Sequence, residues 1–181
     1  MDQSNTTQAY MKNALQLNGN ELVEFATFYS ISYAITIVPS QLLQTKLRPL
    51  LWLPLCEVLW GVFTLLTFVA PNAKAIYALR FLTGMTEASA WPGLVTCILN
   101  WYTPSEYGKR IAIFGISGVA GSMFLGILQA APYKNLNGHH SLEGWQWLFI
   151  VTGCITIVLG LIGFIAVPDS PLNTRAIWLN Q

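Results

Sequence analysis

Ile111-Ala-Ile-Phe-Gly115-Ile-Ser-Gly118-Val-Ala-Gly121-Ser-Met-Phe-Leu-Gly126-Ile-Leu-Gln-Ala-Ala131 contains no charged side chain. At about 1.5 Å of rise per residue, a helix of this length reaches roughly 30 Å, the thickness of a bilayer's hydrocarbon core. Lipid offers no hydrogen-bond partners, so a segment that crosses it satisfies its backbone internally, as a helix or within a closed barrel. Strand-period alternation is absent here, which leaves the helix.

Working outward, residues 145–167 form a second uncharged stretch. Toward the N-terminus, 75–101 is apolar but contains Arg80 and Glu87, and 50–69 contains Glu57. The stretch 22–43 has Glu24 near its edge and Pro39 inside, and is the weakest of the set. Polar turns separate all five. The expected fold is therefore an all-α, polytopic membrane helical bundle with five spans at about 22–43, 50–69, 75–101, 111–131 and 145–167. Residues 1–21 are expected as a polar extracellular segment and 168–181 as a cytoplasmic tail. Trp52, Trp60, Trp101, Tyr102, Trp145 and Trp147 lie mostly near span ends, which suits an interfacial aromatic belt.

Composition agrees. The 181 residues are 54% hydrophobic and 9% charged, whereas soluble domains carry about 25% charged residues. A soluble enzyme and a disordered chain are excluded. A net charge of +1 offers no bulk attraction to nucleic acid. Cys56, Cys97 and Cys154 each lie in an apolar run and match no metal or redox spacing. The adjacent His139 and His140 sit in a polar loop, and neither HExxH nor GxSxG occurs. No catalytic centre, metal or cofactor is expected.

Charges inside a membrane cost about 2.5 to 3.5 kcal/mol each on insertion scales and mark function by default. Glu57, Arg80 and Glu87 qualify. Seven residues of helix turn through about 700°, so Arg80 and Glu87 share a face, about 10 Å apart along the axis. A cation and a protonatable carboxyl on one face suit an anion binder coupled to protons. A structural polar pair satisfied by neighbouring helices is the alternative. Gly115, Gly118 and Gly121 are spaced to let a neighbouring helix approach closely, and Pro92-Gly93 marks a kink within the third span.

Loop charges orient the bundle. One side holds Lys46, Arg48, Lys109, Arg110 and Arg175, and the other Lys12, Lys74 and Lys134. The richer side is expected in the cytoplasm, with the N-terminus outside and the C-terminus inside. Asn5-Thr6-Thr7 is a glycosylation sequon on the outer side. An outside N-terminus calls for a preceding span, which this sequence does not contain.

Four motifs carry a resemblance. Arg80-Phe-Leu-Thr-Gly84-Met-Thr-Glu87-Ala88-Ser-Ala-Trp-Pro92-Gly93 resembles the RFLLGxxEAxxxPG fourth helix of the anion:cation symporter branch of the major facilitator superfamily. Asn100-Trp101-Tyr102-Thr-Pro-Ser-Glu106-Tyr-Gly108-Lys109-Arg110 resembles the WYxxxExGKR cytoplasmic loop that follows. Gly144-Trp145-Gln-Trp147-Leu148-Phe149-Ile150 resembles the GWRWLFI start of the sixth helix, and Pro168-Asp169-Ser170-Pro171 the PDSP that ends it. The nearest group is the fungal allantoate and pantothenate permease-like transporters.

The resemblance implies a partial N-terminal half of the fold, with the five spans as helices two to six of twelve. It implies proton-coupled symport of a small organic anion, a carboxylate such as allantoate, pantothenate or a related vitamin or nitrogen source. Arg80 and Glu87 would serve anion binding and proton coupling, with Glu57 as a weaker candidate for the same role. No cofactor is implied, the proton being the coupling ion. The partners implied are the anion, the lipid bilayer and the remaining carrier half, in the plasma membrane. One departure stands out. The G-x-x-x-D-R-x-G loop of the family is replaced here by Gln41-Leu-Leu-Gln-Thr-Lys46-Leu-Arg48-Pro49. A non-transporting membrane interaction protein or half-carrier is the alternative, since five helices enclose no central cavity.

Overall fold

A computed structural model describes residues 21–70, 72–136 and 144–167, without the side chains of Leu22 and of 129–136. The polar segment before Glu21, the sequon, His139, His140 and the Pro168-Asp169-Ser170-Pro171 motif with its tail lie outside the described residues. The described chain forms α1 (Glu21–Lys46), α2 (Pro49–Leu66) with a short 3-10 turn (Thr67–Val69), α3 (Ala73–Glu87), α4 (Ala90–Trp101), α5 (Tyr107–Leu136) and α6 (Gly144–Ala166). No strand occurs among the described residues.

Local chemistry sets the boundaries. Pro49 begins α2, where a missing N–H costs nothing, and Arg48 before it is extended at φ −65°, ψ 129°. Asn72, extended at φ −143°, ψ 154°, leads into α3. The stretch 75–101, expected as one span, is two helices that part at Ala88-Ser89. Pro92 explains the position. Its ring removes the donor for the carbonyl four residues back, that of Ala88, and crowds it, so the interruption falls upstream of the proline itself. Among the described residues, three helical segments are long and apolar enough to cross a membrane by themselves, namely Pro49–Val69, Tyr107–Leu128 and Gly144–Ala166.

Glycines decide which helices meet. α2 and α6 pack along most of their length. A Cβ on Gly153 would lie 2.9 Å from Leu65 Cα, one on Gly160 3.0 Å from the Val58 nitrogen, and one on Gly61 2.9 Å from the Ile157 nitrogen. In lipid, where apolar surface gains little by leaving the solvent, such close backbone approach supplies the attraction. α1 lies on α3, and α4 packs against α2 and α1. At one end a core of Phe25, Ala70, Ile76 and Trp145 joins α1, α3 and α6, with Tyr77, Leu79 and Phe149 packed around it. The outward faces are apolar, with Ile116 68%, Met123 71% and Ile165 76% exposed, as a lipid-facing surface requires.

α5 carries Gly115, Gly118 and Gly121. It touches α6 and α4, the latter through Trp91 and Phe114 rings 4.7 Å apart. A Cβ on any of the three glycines would meet no atom within 4 Å. Among the described residues they pack against nothing, α5 sitting at the rim of the bundle. Close backbone approach of this kind occurs at the glycines of α2 and α6.

Candidate functional site

The site is built on α3. Arg80, Gly84 and Glu87 recur at helical spacing and share one face. Gly84 brings α1 onto that face, since a Cβ there would lie 2.5 Å from the Tyr29 carbonyl oxygen and collide with Ser32 Oγ. Ser32 is fully buried, and its hydroxyl donates to that same Tyr29 carbonyl at 2.8 Å. The approach places the Tyr29 side chain between the two charges. Its hydroxyl shares a hydrogen bond with the Glu87 carboxyl and interacts electrostatically with Arg80.

Two further helices complete the surroundings. From α6, the Phe149 ring lies beneath the Arg80 guanidinium, 5.5 Å from ring centroid to Cζ. From α2, Glu57 interacts electrostatically with Glu87. Its stem runs along α6 where Gly160 leaves room, the Glu57 Cγ lying 3.2 Å from where a Cβ on Gly160 would stand. A guanidinium, two carboxyls and a phenol thus gather from three helices, with an aromatic face from a fourth. The guanidinium can hold a carboxylate through its planar fork of N–H donors, and the carboxyls can take and release protons.

One turn further along, the break between α3 and α4 is fastened by polar contacts. Ser40 and Ser89 share a buried hydroxyl–hydroxyl hydrogen bond, and Cys56 Sγ approaches Ser89 Oγ at 3.5 Å. Gln44 Nε2 donates to the Gly93 carbonyl at 3.2 Å. Gly93 lets the Gln44 side chain come close, since a Cβ there would lie 2.8 Å from Gln44 Oε1. The predicted kink at Pro92-Gly93 is thus also the place where α1, α2 and α4 lock together. Cys56, Cys97 and Cys154 form no disulfide, and no group of three metal-ligating residues forms among the described residues.

The loop motif lies apart from this site. Thr103 and Glu106 interact at 3.4 Å through Oγ1 and Oε2, and Arg110 N–H donates to the Glu106 carbonyl at 3.1 Å. Tyr107 Oη donates to the Leu99 carbonyl at 2.9 Å. The Arg110 guanidinium stacks 4.3 Å over the Tyr102 ring. Gly108 has open space around it, and the segment closes on itself as a tight connection from α4 to α5. Glu87 thus interacts with both Arg80 and Glu57, Pro92 and Gly93 lie beyond the break on α4, and Glu106, Gly108, Lys109 and Arg110 lie elsewhere. Sequence reasoning missed Tyr29, Gly84 as a contact point, and Phe149. A glycine between two charges on one helical face was a usable signal for Gly84.

The Major Facilitator Superfamily model matches residues 4–178. The chain is 36% identical over 184 residues to "Pantothenate transporter liz1" of Schizosaccharomyces pombe (strain 972 / ATCC 24843), covering all of this chain and 36% of the relative. It is 37% identical over 180 residues to "Pantothenate transporter FEN2" of Saccharomyces cerevisiae (strain ATCC 204508 / S288c), covering 98% of this chain and 35% of the relative. The chain thus spans about a third of the length of these relatives. Among solved structures, a bacterial homolog of the human lysosomal transporter Spinster, in an inward-facing and occupied conformation, aligns with TM-score 0.72 at 18% identity. That alignment covers 94% of this chain and 41% of the other. These relatives are transporters. This all-α membrane chain belongs to the Major Facilitator Superfamily.

Proposed function

We propose that the chain forms part of a proton-coupled symporter for a small organic anion, with Arg80 holding the substrate carboxylate and Glu87 carrying the coupled proton. The observation that carries this reading is the shared α3 face, on which Arg80 and Glu87 flank the close approach of α1 at Gly84 and Tyr29 reaches both. The printed names of the relatives favour pantothenate as the first substrate to try, with allantoate and biotin next as small carboxylates. In this reading the chain provides five spans, helices two to six of a twelve-helix carrier, with α3 and α4 together forming one of them. The substrate sits near the midplane, where two carrier halves meet. The side bearing Lys46, Arg48, Lys109 and Arg110 faces the cytoplasm of a plasma membrane.

The test is uptake of labelled pantothenate by cells expressing the chain, alone and together with the remaining carrier segment. Uptake is expected with the complement and is lost in Arg80→Ala and Glu87→Gln. Uptake that both substitutions leave intact would remove the site assignment. The half-carrier reading draws on one observation, the outward glycine face of α5. If the chain co-purifies with a full-length carrier while transporting nothing with any complement, that second reading stands in place of the first.

A further inference from the structure

The Gly144-Trp145-Gln146-Trp147-Leu148-Phe149 motif has a structural consequence for Arg80. Trp145 and Phe149 are four residues apart and so share a face of α6. Trp145 is 4% exposed within the core of Phe25, Ala70 and Ile76. Its ring meets that of Phe149 edge-on, centroids 6.1 Å apart at 79°. Gln146 Nε2 donates to the Phe68 carbonyl at 3.0 Å, which ties the start of α6 to the end of α2. The Phe149 ring is therefore held from behind, and it offers its face to the Arg80 guanidinium at 5.5 Å.

We propose that Phe149 is a positioning residue: its ring fixes where the Arg80 guanidinium sits, and so presents it to the substrate anion. The consequence for the anion rests on the binding role given to Arg80 above. An aromatic face attracts a cation within about 6 Å. It does so without neutralising the charge and without consuming an N–H donor, whereas a carboxylate partner would do both. The ring contact thus leaves the bidentate fork of Arg80 for a ligand, while Glu87 and Tyr29 act on its charge through space. The arrangement also restricts a long side chain before binding, which lowers the entropy lost when the anion arrives.

The experiment uses the chain reconstituted with the remaining carrier segment in lipid nanodiscs, with Phe149→Leu removing the π face at comparable apolar volume and Phe149→Tyr and Phe149→Trp retaining it. The Arg80 side-chain resonance, in arginine-labelled protein and assigned with Arg80→Lys, reports the ring current of Phe149. Equilibrium binding of labelled pantothenate is measured in parallel. Phe149→Leu is expected to move the resonance and weaken binding by about two- to fivefold, while the Tyr and Trp variants stay within about twofold of the parent. A resonance that Phe149→Leu leaves in place overturns the proposal. So does a resonance that moves while binding is unchanged, or a loss that Tyr and Trp do not rescue. Failure of the parent chain with its complement to bind the probe would instead remove the anion-binding role of Arg80, and the resonance would still decide the placement.

Discussion

A single residue, Glu87, couples the proposed anion site to pH. When it is ionised, its negative charge lies on the same α3 face as the bound anion and opposes it through the low-dielectric surroundings. When it is protonated, the repulsion is gone and the carboxyl still hydrogen-bonds Tyr29. Anion affinity is therefore expected to fall as pH rises through the titration of Glu87, by up to about tenfold per pH unit for one linked proton. Glu87→Gln mimics the protonated form and is expected to bind with an affinity that pH does not change over the same range. Labelled-pantothenate binding at stepped pH measures both. A Glu87→Gln protein with the parent's pH profile would move the coupling to another group, and Glu57 is the neighbour on which to test it. Arg80, Glu87 and Glu57 were legible in the sequence because a charge in an apolar stretch stands out. Tyr29 and Phe149 were not, since an aromatic residue in a span is ordinary and their roles arise only when α1 and α6 pack on α3.

At the scale of elements, Gly84 is the point on which the α1–α3 pair depends. A methyl group there would fall on the Tyr29 carbonyl and on Ser32, which is backbone and a fully buried side chain, so neither yields by a rotamer change. Overpacking of this kind costs about 1 to 3 kcal/mol. Gly84→Ala is expected to destabilise the bundle by that amount and to separate Tyr29 from Glu87. Unfolding in mixed micelles gives the first quantity, and cross-linking of cysteines placed on the facing surfaces of α1 and α3 the second. Unchanged stability together with unchanged cross-linking would show that α1 approaches less closely. The bend in the third stretch could be read from Pro92, but the residues at which the helices part follow from the carbonyl that the proline leaves behind, four positions upstream.

For the whole molecule, the glycines fall into two groups with opposite surroundings. Gly153 and Gly160 of α6 face backbone atoms of α2 near 3 Å, whereas Gly115, Gly118 and Gly121 of α5 face open space. Gly153→Ala is expected to destabilise the chain by about 1 to 3 kcal/mol, and Gly118→Ala to be neutral or slightly stabilising through helix propensity. A thermal or denaturant series on both variants checks the contrast, and equal losses at the two positions would mean that α5 is covered by another surface. A glycine stripe in a sequence announces that something can come close, but not which neighbour it is, which is why the sequence alone does not tell the α5 stripe from that of α6. Membership of the fold was legible from the apolar stretches and the ordered motifs, since those depend on local sequence alone.

The parting at Ala88-Ser89 has one more geometric effect. Arg80 and Glu87 both precede it, on a single uninterrupted rod, while the Gln44–Gly93 contact lies beyond it. Bending at that point swings one segment relative to the other and leaves the interval between the two charges, about 10 Å along the axis, untouched. The pair therefore acts as a fixed gauge: whatever angle the two segments adopt, a molecule spanning from guanidinium to carboxyl is measured against the same length.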